Sequence, residues 1–157
     1  MDIINKFDGE YFFLSNFYPA PITWKGKVYP TNEHFYQAFK TANGFHHEAI
    51  RKAATPSLAK KYGRAVTLIN DWEHEKHTVM LLALYLKFTQ HQNLLTKLLA
   101  TDDIHLEEGN TWGDKVWGTV NGMGFNYLGK YLMRTRKILR EEEEKKKAEF
   151  DRGFNDA

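Results

Sequence analysis

The chain has 157 residues, a formal net charge of +2 and no cysteine, which is the size of one globular domain. The absence of cysteine excludes disulfides, zinc–thiolate sites and cysteine nucleophiles. The small net charge permits contact with phosphates without indicating a dedicated nucleic-acid binder. The first ten residues carry charges where a signal peptide needs an apolar run, and no stretch approaches the roughly 20 apolar residues of a membrane span. We therefore expect a cytoplasmic protein without membrane contact.

The first thirty residues are predicted to form short strands joined by turns. Residues 22–24 and 27–29 flank Lys25-Gly26, which places a glycine in a tight turn between two β-prone segments. This pattern predicts a β-hairpin.

A helix is predicted over residues 33–42. Thr31 precedes it and suits the N-cap position, because its side-chain oxygen can accept a hydrogen bond from a free backbone N–H of the first turn. Apolar residues then recur at three- and four-residue spacing, which indicates one buried helical face. Asn43-Gly44 is predicted to end the helix.

Four further helices are predicted before residue 101. A short one spans residues 47–53, and another starts at Thr55-Pro56, since proline is tolerated in a first turn. Gly63 is predicted to be its C-terminal cap. The longest spans residues 72–88, and a short helix covers residues 93–100.

The remainder of the chain is predicted to be a loop followed by a long helix. Residues 107–124 are rich in glycine and tryptophan, and the helix begins near Asn126 and enters the charged run 141–147. The domain is thus predicted to occupy residues 1–140, with residues 141–157 as a charged helical extension or tail. The predicted fold class is α+β: a helix-dominated single domain with a short N-terminal β-hairpin region.

One polar stripe stands out on the helix predicted at residues 33–42. Glu33, Gln37 and Lys40 follow one another at i, i+4 and i+7, so they share one helix face. The carboxylate and the amine are then about 10 Å apart along the axis, and a substrate fits between them. Glu33 suits a general acid/base, and Lys40 a nucleophile or an electrostatic stabiliser. The spacing alone favours a plainer interpretation, the solvated face of an amphipathic helix.

The glycine–tryptophan segment, residues 111–126, is the second candidate for a site. Glycines let the backbone approach a ligand, and tryptophan offers a flat face to a base or a ribose. Asp114 suits a ribose hydroxyl or the glycosidic carbon. The helix that begins near Asn126 offers its N-terminus to a phosphate. A structural loop whose tryptophans fill the core explains the segment equally well.

Seven histidines raise the question of a metal site. His74 and His77 are three residues apart, which is not the i, i+4 pair of the zinc proteases, and no cysteine or clear third ligand joins them. We expect exposed helix histidines and no metal or other cofactor. A serine hydrolase is disfavoured as well, because the chain has no nucleophile elbow.

A larger pattern emerges when the conspicuous segments are taken in chain order. They are residues 13–17 (FLSNF), 29–40 (YPTNEHFYQAFK), 59–64 (AKKYGR), 71–72 (DW), 112–118 (WGDKVWG), 124–129 (GFNYLG) and 132–133 (LM). In this order, up to about residue 136, they resemble the NADAR family, also called YbiA-like.

The resemblance implies a compact, helix-dominated α+β domain that cleaves N-glycosidic bonds. It implies two substrate classes. The first is ADP-ribose attached to the guanine amino group of DNA or RNA, and the second is a phosphoribosylamino-pyrimidine intermediate of riboflavin synthesis. We expect the first, with a non-catalytic module that holds ADP-ribose or NAD as the alternative from another class. A plain nucleic-acid-binding domain ranks last, because the lysines are scattered. The oligomeric state stays open.

The resemblance also assigns residues to the site. The acidic catalytic position of the family falls on Glu33 and its motif lysine on Lys40, and Asp114 joins them as a catalytic candidate. The substrate-binding candidates are Ser15, Asn16, Phe17, Tyr36, Arg64, Trp112, Gly113, Trp117, Gly118 and Asn126. Two departures from some members are Thr31-Asn32 in place of Thr-Ser and a shorter glycine stretch after Trp117.

Two mechanisms are compatible with these residues. Cleavage builds positive charge on C1′ and the ring oxygen, which Glu33 would stabilise, or Glu33 would manage a proton at the leaving nitrogen. In the covalent mechanism, which the resemblance favours, Lys40 attacks C1′ of the opened ring and forms a Schiff base. This requires a lysine pKa well below about 10.4. In the other mechanism Lys40 holds a phosphate or hydroxyl while Glu33 activates water.

Overall fold

The computed structural model describes residues 2–156, over which six α-helices, one 3-10 helix and four short strands follow one another. The elements are β1 (Ile3–Ile4), the 3-10 helix Gly9–Leu14, β2 (Ile22–Trp24), β3 (Lys27–Tyr29), α1 (Asn32–Ala38), α2 (Gly44–Arg51), α3 (Pro56–Ala65), α4 (Trp72–Gln90), α5 (Gln92–Ala100), β4 (His105–Leu106) and α6 (Tyr127–Asn155). The predicted helix-dominated α+β fold is confirmed.

Strands β2 and β3 form the predicted antiparallel hairpin, in which Thr23 pairs with Val28. Both turn residues, Lys25 and Gly26, have positive φ angles of 49° and 79°, as tight two-residue hairpin turns require. Gln90, the last residue of α4, exchanges two hydrogen bonds with the backbone of Thr23, at 2.8 and 2.9 Å. The hairpin is therefore fixed to the end of the longest internal helix.

Helix α1 lies at the centre of the fold. All of its residues are buried, and it contacts α2, α3 and α4. The side chain of Thr31 accepts a hydrogen bond from the His34 N–H, so the predicted N-cap is confirmed. The predicted end at residue 42 is wrong, since the helix stops at Ala38. The carbonyl of Lys40 instead accepts a hydrogen bond of 2.7 Å from the Ile69 N–H, which is a contact with a segment distant in sequence.

Gly63 is not the cap that the sequence predicts, because α3 continues past it to Ala65. It lies where α3 packs against α1, and a Cβ atom at this position would overlap the side-chain amide of Gln37, at 2.8 Å from its Cδ. The glycine is therefore needed for close packing of two helices. The start of α3 agrees with the prediction, since Thr55 caps it and Pro56 is its first residue.

The other predicted helices are confirmed with small shifts at their ends. Asn43, expected only to end α1, accepts a hydrogen bond from the His46 N–H and so caps α2, which begins three residues earlier than predicted. Helices α4 and α5 pack against α6 around a core of leucines and phenylalanines. Three side chains at this junction are fully buried, at 0% exposure: Leu84, Phe88 and Leu132.

A small parallel sheet holds the long loop after β4. Strand β1 pairs with β4, with Ile4 opposite Leu106, and the Gly109 N–H continues the contact by donating to the Asn5 carbonyl at 3.0 Å. The predicted loop lacks helices and named strands, but Gly109 and Thr119 form an isolated bridge inside it. The loop is therefore fixed to the N-terminal segment of the described chain.

Helix α6 begins at Tyr127, next to the predicted start, and runs to Asn155. Its buried residues end at Leu139, and Tyr85 of α4 reaches Glu142 with its hydroxyl. No break separates the part before residue 140 from the charged part, so the proposed boundary there remains a prediction. None of the helices within residues 2–156 is both long and apolar enough to cross a membrane.

Gly63→Ala is expected to destabilise the protein by about 1 kcal/mol. The helix propensity of alanine favours the variant by about 1 kcal/mol, but overpacking against Gln37 typically costs about 1–3 kcal/mol. Urea unfolding measures the difference. Gly153→Ala is the matched control, because Gly153 also lies within a helix but a Cβ there meets no atom within 4 Å. Equal urea midpoints for the two variants would contradict the packing role of Gly63.

Candidate functional site

A cavity of about 690 Å³ opens between the N-terminal segment, α1, α3 and the loop after β4. This volume is typical of sites that hold small molecules. The structure brings most of the predicted site residues to its wall, and these are Ser15, Asn16, Phe17, Glu33, Tyr36, Lys40, Arg64, Trp112, Asp114 and Trp117.

Glu33 presents a buried carboxyl group to the cavity. It is 7% exposed and Gln37 is 3% exposed, so the solvated-face interpretation of the stripe is wrong for both. The Gln37 side-chain N–H donates to Glu33 Oε1 at 2.7 Å. Burial raises the pKa of Glu33, and the hydrogen bond from Gln37 and the charges of Lys60 and Lys40 oppose that rise.

Lys40 lies beyond the end of α1 yet lines the same cavity. Its Nζ is 5.5 Å from the centre of the Tyr36 ring, a cation–π distance. Burial lowers the pKa of Lys40; the charge of Glu33 opposes this effect, and Arg64 and Lys60 reinforce it. A lysine whose proton is held less tightly is better suited to nucleophilic attack.

Helix α3 adds a cationic wall. Ser57, Lys60 and Arg64 line the cavity from α3, and the first two were not predicted. Their spacing of three and four residues places them on one helix face. Within residues 2–156 neither Lys60 nor Arg64 forms a salt bridge, so both cations are available to a bound anion.

Asp114 organises the loop of the opposite wall. Its Oδ1 accepts hydrogen bonds from the backbone N–H groups of Val116 and Trp117, at 3.0 and 2.9 Å. Asn110 holds the same turn through bonds to the Asp114 backbone at 2.8 and 3.0 Å. The carboxylate therefore fixes the position of Trp117 as well as lining the cavity.

Aromatic rings form the rest of the wall. Trp117 meets Tyr36 edge to face, with ring centres 5.4 Å apart, and burial raises the pKa of Tyr36. Trp112 lines the cavity and is 63% exposed. These rings can pack against a base or a sugar without a conformational change.

The cavity wall does not include Gly113, Gly118 or Asn126, which were predicted to bind the substrate. Gly113 has a φ of 87° and serves a turn. Gly118 has no room for a Cβ atom, which would lie 2.7 Å from the side-chain nitrogen of Asn110. Both glycines support the loop from outside the cavity.

Asn126 is a buried link between segments. Its side chain donates to the Leu106 carbonyl and accepts from the Glu108 N–H, both at 3.0 Å. A phosphate was expected at the start of α6, but most backbone donors there have partners in the described structure. The backbone N–H groups of residues 125–128 donate to the carbonyls of residues 115–118.

Glu108 is the main cavity residue that the sequence did not reveal. Its N–H is held by Asn126 and its carbonyl accepts from the Thr119 N–H at 2.9 Å. Burial, assisted by the charges of Asp114 and Glu33, raises the pKa of Glu108 to about 8. No local signal marks this residue, because the pairing of β1 with β4 brings it to the cavity.

Two buried acceptors in the wall lack partners. Asn16 Oδ1 and Gln37 Oε1 have no hydrogen bond within the described structure, although their residues are only 8% and 3% exposed. Buried polar atoms are nearly always paired, and an unpaired one is costly. The remaining unpredicted wall residues are Phe7, Asp8, Phe12, Met80 and Gly109.

The histidines do not assemble a metal site in residues 2–156, where no group of three or more potential ligands comes together. His74 is exposed, as expected, but His77 is partly buried. Its Nδ1 lies 2.7 Å from the Tyr131 hydroxyl and its ring contacts Trp117. His77 therefore supports an aromatic group behind the cavity wall.

Comparison with known proteins places this site in a family. Residues 4–140 match the NADAR domain. The N-glycosidase YbiA of Shigella boydii is 41% identical over 133 residues, which cover 83% of this chain and 82% of that protein. A riboflavin biosynthesis protein of Vibrio vulnificus is 36% identical over 137 residues, which cover 85% of this chain and 37% of that protein. The NMR structure of Escherichia coli YbiA matches with a TM-score of 0.83 and 39% identity, covering 90% of this chain and 87% of that one.

Glu108→Gln is expected to stabilise the protein at high pH. The folded chain holds the Glu108 proton up to about pH 8, against an ordinary pKa of 4.5. Its contribution to stability is therefore fully present below the unfolded pKa and is lost as the pH rises through about 8. Glutamine has no proton to lose. The difference in urea midpoint between the variant and the unsubstituted protein is measured at about pH 4 and at about pH 9. This difference should favour the variant more at about pH 9 than at about pH 4.

Glu141→Gln is the control for this comparison, because it removes an exposed carboxyl group that lies outside the cavity. It should show no such difference between the two pH values. The same response in both variants would mean that net charge, rather than the buried position of Glu108, sets the effect.

Proposed function

This chain belongs to the NADAR domain family and is an N-glycosidase, and we propose that it removes ADP-ribose from guanine bases of nucleic acid. One observation carries the proposal: a single cavity joins the unpaired cations of α3 to four carboxyl groups and two tryptophans. ADP-ribose needs all of these, since it has two phosphates, an adenine ring and a ribose whose C1′ becomes positively charged in the reaction.

The cationic face of α3 suits the pyrophosphate. Lys60 and Arg64 are one helical turn apart and have no competing carboxylate partner within residues 2–156. Arginine can contact phosphate oxygens through two N–H groups, while lysine acts as a point charge. A neutral or purely cationic ligand would leave these two charges without a partner.

The polar acceptors suit the ribose. Asn16 and Gln37 line the cavity together with Glu33, so polar side-chain amides surround the place that the proposal gives to the ribose. The exposed face of Trp112 offers a surface for a purine ring. These contacts place the sugar beside the carboxyl groups and the base beside an aromatic side chain.

Glu33 and Glu108 have different tasks in this proposal. Glu108 is protonated at neutral pH, since its pKa is about 8, so it can give a proton to the leaving guanine nitrogen. Burial raises the pKa of Glu33, and the hydrogen bond from Gln37 and the charges of Lys60 and Lys40 oppose that rise. In its ionised form Glu33 can take a proton from the attacking water. A pair of carboxyl groups that divide the acid and base roles is a common basis for general acid–base catalysis.

Lys40 supplies the nucleophile. The neutral amine of Lys40 adds to C1′ as the ring oxygen leaves, the proton that the amine loses passes to the ring oxygen, and the guanine amine departs with the proton from Glu108. The resulting imine is hydrolysed by water, which Glu33 deprotonates, and the proton that Glu33 gains then returns to Glu108. Lys40 recovers its amine, and the free aldehyde closes to ribose, so one water is consumed in all. The lowered pKa of Lys40 supports this role.

A second candidate substrate is a phosphoribosylamino-pyrimidine. The observation that favours it is the similarity to proteins named for riboflavin biosynthesis in Vibrio vulnificus and Zea mays. Such a substrate carries the same kind of bond between a ribose carbon and an amine nitrogen. It would engage the cations of α3 with one phosphate and leave more of the cavity open.

Glu33→Ala and Lys40→Ala are each expected to lower release of ADP-ribose from a guanine-ADP-ribosylated DNA oligonucleotide by at least about 100-fold, as loss of a general base or a nucleophile does. Mass spectrometry of the released sugar measures the rate. Lys61→Ala and Glu141→Gln are matched controls, because both residues are exposed and lie outside the cavity.

Three outcomes decide between the candidates. Release that both variants lose supports the proposal. No release by the folded protein, together with turnover of the phosphoribosylamine, would assign the second substrate. Binding of ADP-ribose without turnover of either compound would indicate a non-catalytic module.

Borohydride reduction is expected to trap a covalent adduct between the protein and the sugar during turnover, because it reduces the imine to a stable amine. Intact-protein mass spectrometry should show the adduct in Glu33→Gln, where hydrolysis is slow, and not in Lys40→Ala. If no adduct forms in any active variant, Lys40 instead holds a phosphate or hydroxyl, and water attacks C1′ directly.

A further inference from the structure

Three aromatic rings form a strip on the surface next to the cavity: Phe125, Tyr127 and Tyr131. The rings of Phe125 and Tyr127 are stacked, with their centres 5.2 Å apart and an angle of 9° between their planes. The rings of Tyr127 and Tyr131 are also stacked, with their centres 5.9 Å apart and an angle of 20° between their planes. Phe125 is 58% exposed. Burial in the core therefore does not account for the position of this ring.

The strip is rigidly supported from behind. Tyr127 and Tyr131 are one turn apart on α6, and His77 of α4 lies against both, with its ring centre 4.8 Å from that of Tyr127. The Tyr131 hydroxyl is bonded to His77 at 2.7 Å. The rings are thus held in place before any ligand arrives.

Cations accompany the strip. Lys130 Nζ lies 5.5 Å from the centre of the Tyr127 ring, Arg134 follows one turn later on α6, and the Lys115 carbonyl accepts from the Phe125 N–H. None of these three side chains forms a salt bridge within residues 2–156. The surface is therefore aromatic and positive at once.

Trp117 connects the strip to the cavity. It lines the cavity, and its ring centre is also 6.1 Å from that of Tyr127 and 6.3 Å from that of Tyr131. The strip therefore adjoins the cavity through a shared wall residue, which is within reach of a polymer that has one residue in the cavity.

We propose that the aromatic strip, with Lys115, Lys130 and Arg134, binds the nucleotides that flank the modified base in a single-stranded nucleic acid. Stacked aromatic rings beside cations that contact phosphates are the usual features of surfaces that bind single strands, because every base has a face that can stack. This inference rests on the proposed function and makes it more specific: the strip gives a polymer an advantage that a free nucleotide lacks.

Binding of an unmodified, fluorescein-labelled single-stranded DNA oligonucleotide tests the strip without any turnover. Measured by fluorescence anisotropy, Phe125→Ala should weaken binding at least about fivefold, the effect of losing one stacked base. Lys130→Ala should remove about one phosphate contact. The slope of the logarithm of the binding constant against the logarithm of the salt concentration should then become shallower by about one. Phe45→Ala is the matched control, since Phe45 is 81% exposed on α2 and does not line the cavity.

A kinetic comparison separates this proposal from the proposed function. Phe125→Ala should lower kcat/KM at least about fivefold more for an ADP-ribosylated oligonucleotide than for ADP-ribosylated guanosine, whereas Phe45→Ala should not change the ratio. If both substrates are cleaved and Phe125→Ala leaves the ratio and the anisotropy unchanged, the strip proposal fails and the glycosidase function stands. If neither is cleaved but DNA binding depends on Phe125, the substrate assignment fails and the strip stands. Self-association that depends on Phe125, without DNA binding, would overturn the strip proposal in favour of a second copy of the chain.

Discussion

The complete burial of α1 is the constraint on which the rest of the structure depends. A short helix with no exposed residue must be covered on every side, and α2, α3 and α4 cover it. Because a carboxyl group is buried with it, the fold must also compensate for lost hydration, which is costly. The bond from Gln37 to Glu33 and the nearby lysines supply that compensation. The burial of α1 therefore explains both the packing around this helix and the position of the Glu33 carboxyl group in the cavity wall.

The two walls of the cavity are built in different ways. The wall formed by α1 and α3 arises from residues close in sequence, joined by one close contact at Gly63. The other wall is an irregular loop that owes its shape to internal bonds, those of Asp114 and Asn110, and to Asn126, which joins it to the β4 segment. The local wall supplies Glu33 and the cations Lys40, Lys60 and Arg64, while the distant wall supplies Glu108, Asp114 and the two tryptophans.

Local signals predicted most of the fold, and tertiary contacts explain where they failed. The cap at Thr31 and the turn at Lys25-Gly26 depend on nearby backbone groups, so sequence alone was sufficient for both. The predicted end of α1 was wrong because the N–H of Ile69, a residue distant in sequence, donates a hydrogen bond to the Lys40 carbonyl. Most residues that the family resemblance assigned to the site line one cavity, and their roles remain predictions. Glu108 was missed because only the pairing of β1 with β4 brings it to the cavity, and a short loop segment carries no periodicity that would indicate its orientation.

The parallel pairing of β1 with β4 has a consequence for biosynthesis. The segment around Ile4 leaves the ribosome about a hundred residues before its partner around Leu106, so it must wait for most of the chain to be made. Until then a nascent chain can hold Glu33 on α1 and Lys40 just after it, but no loop covers them and Glu108 is not yet opposite them. The cavity is thus completed only near the end of synthesis, and fragments that end before β4 would carry the amine and the carboxylate without an enclosed site in which to use them.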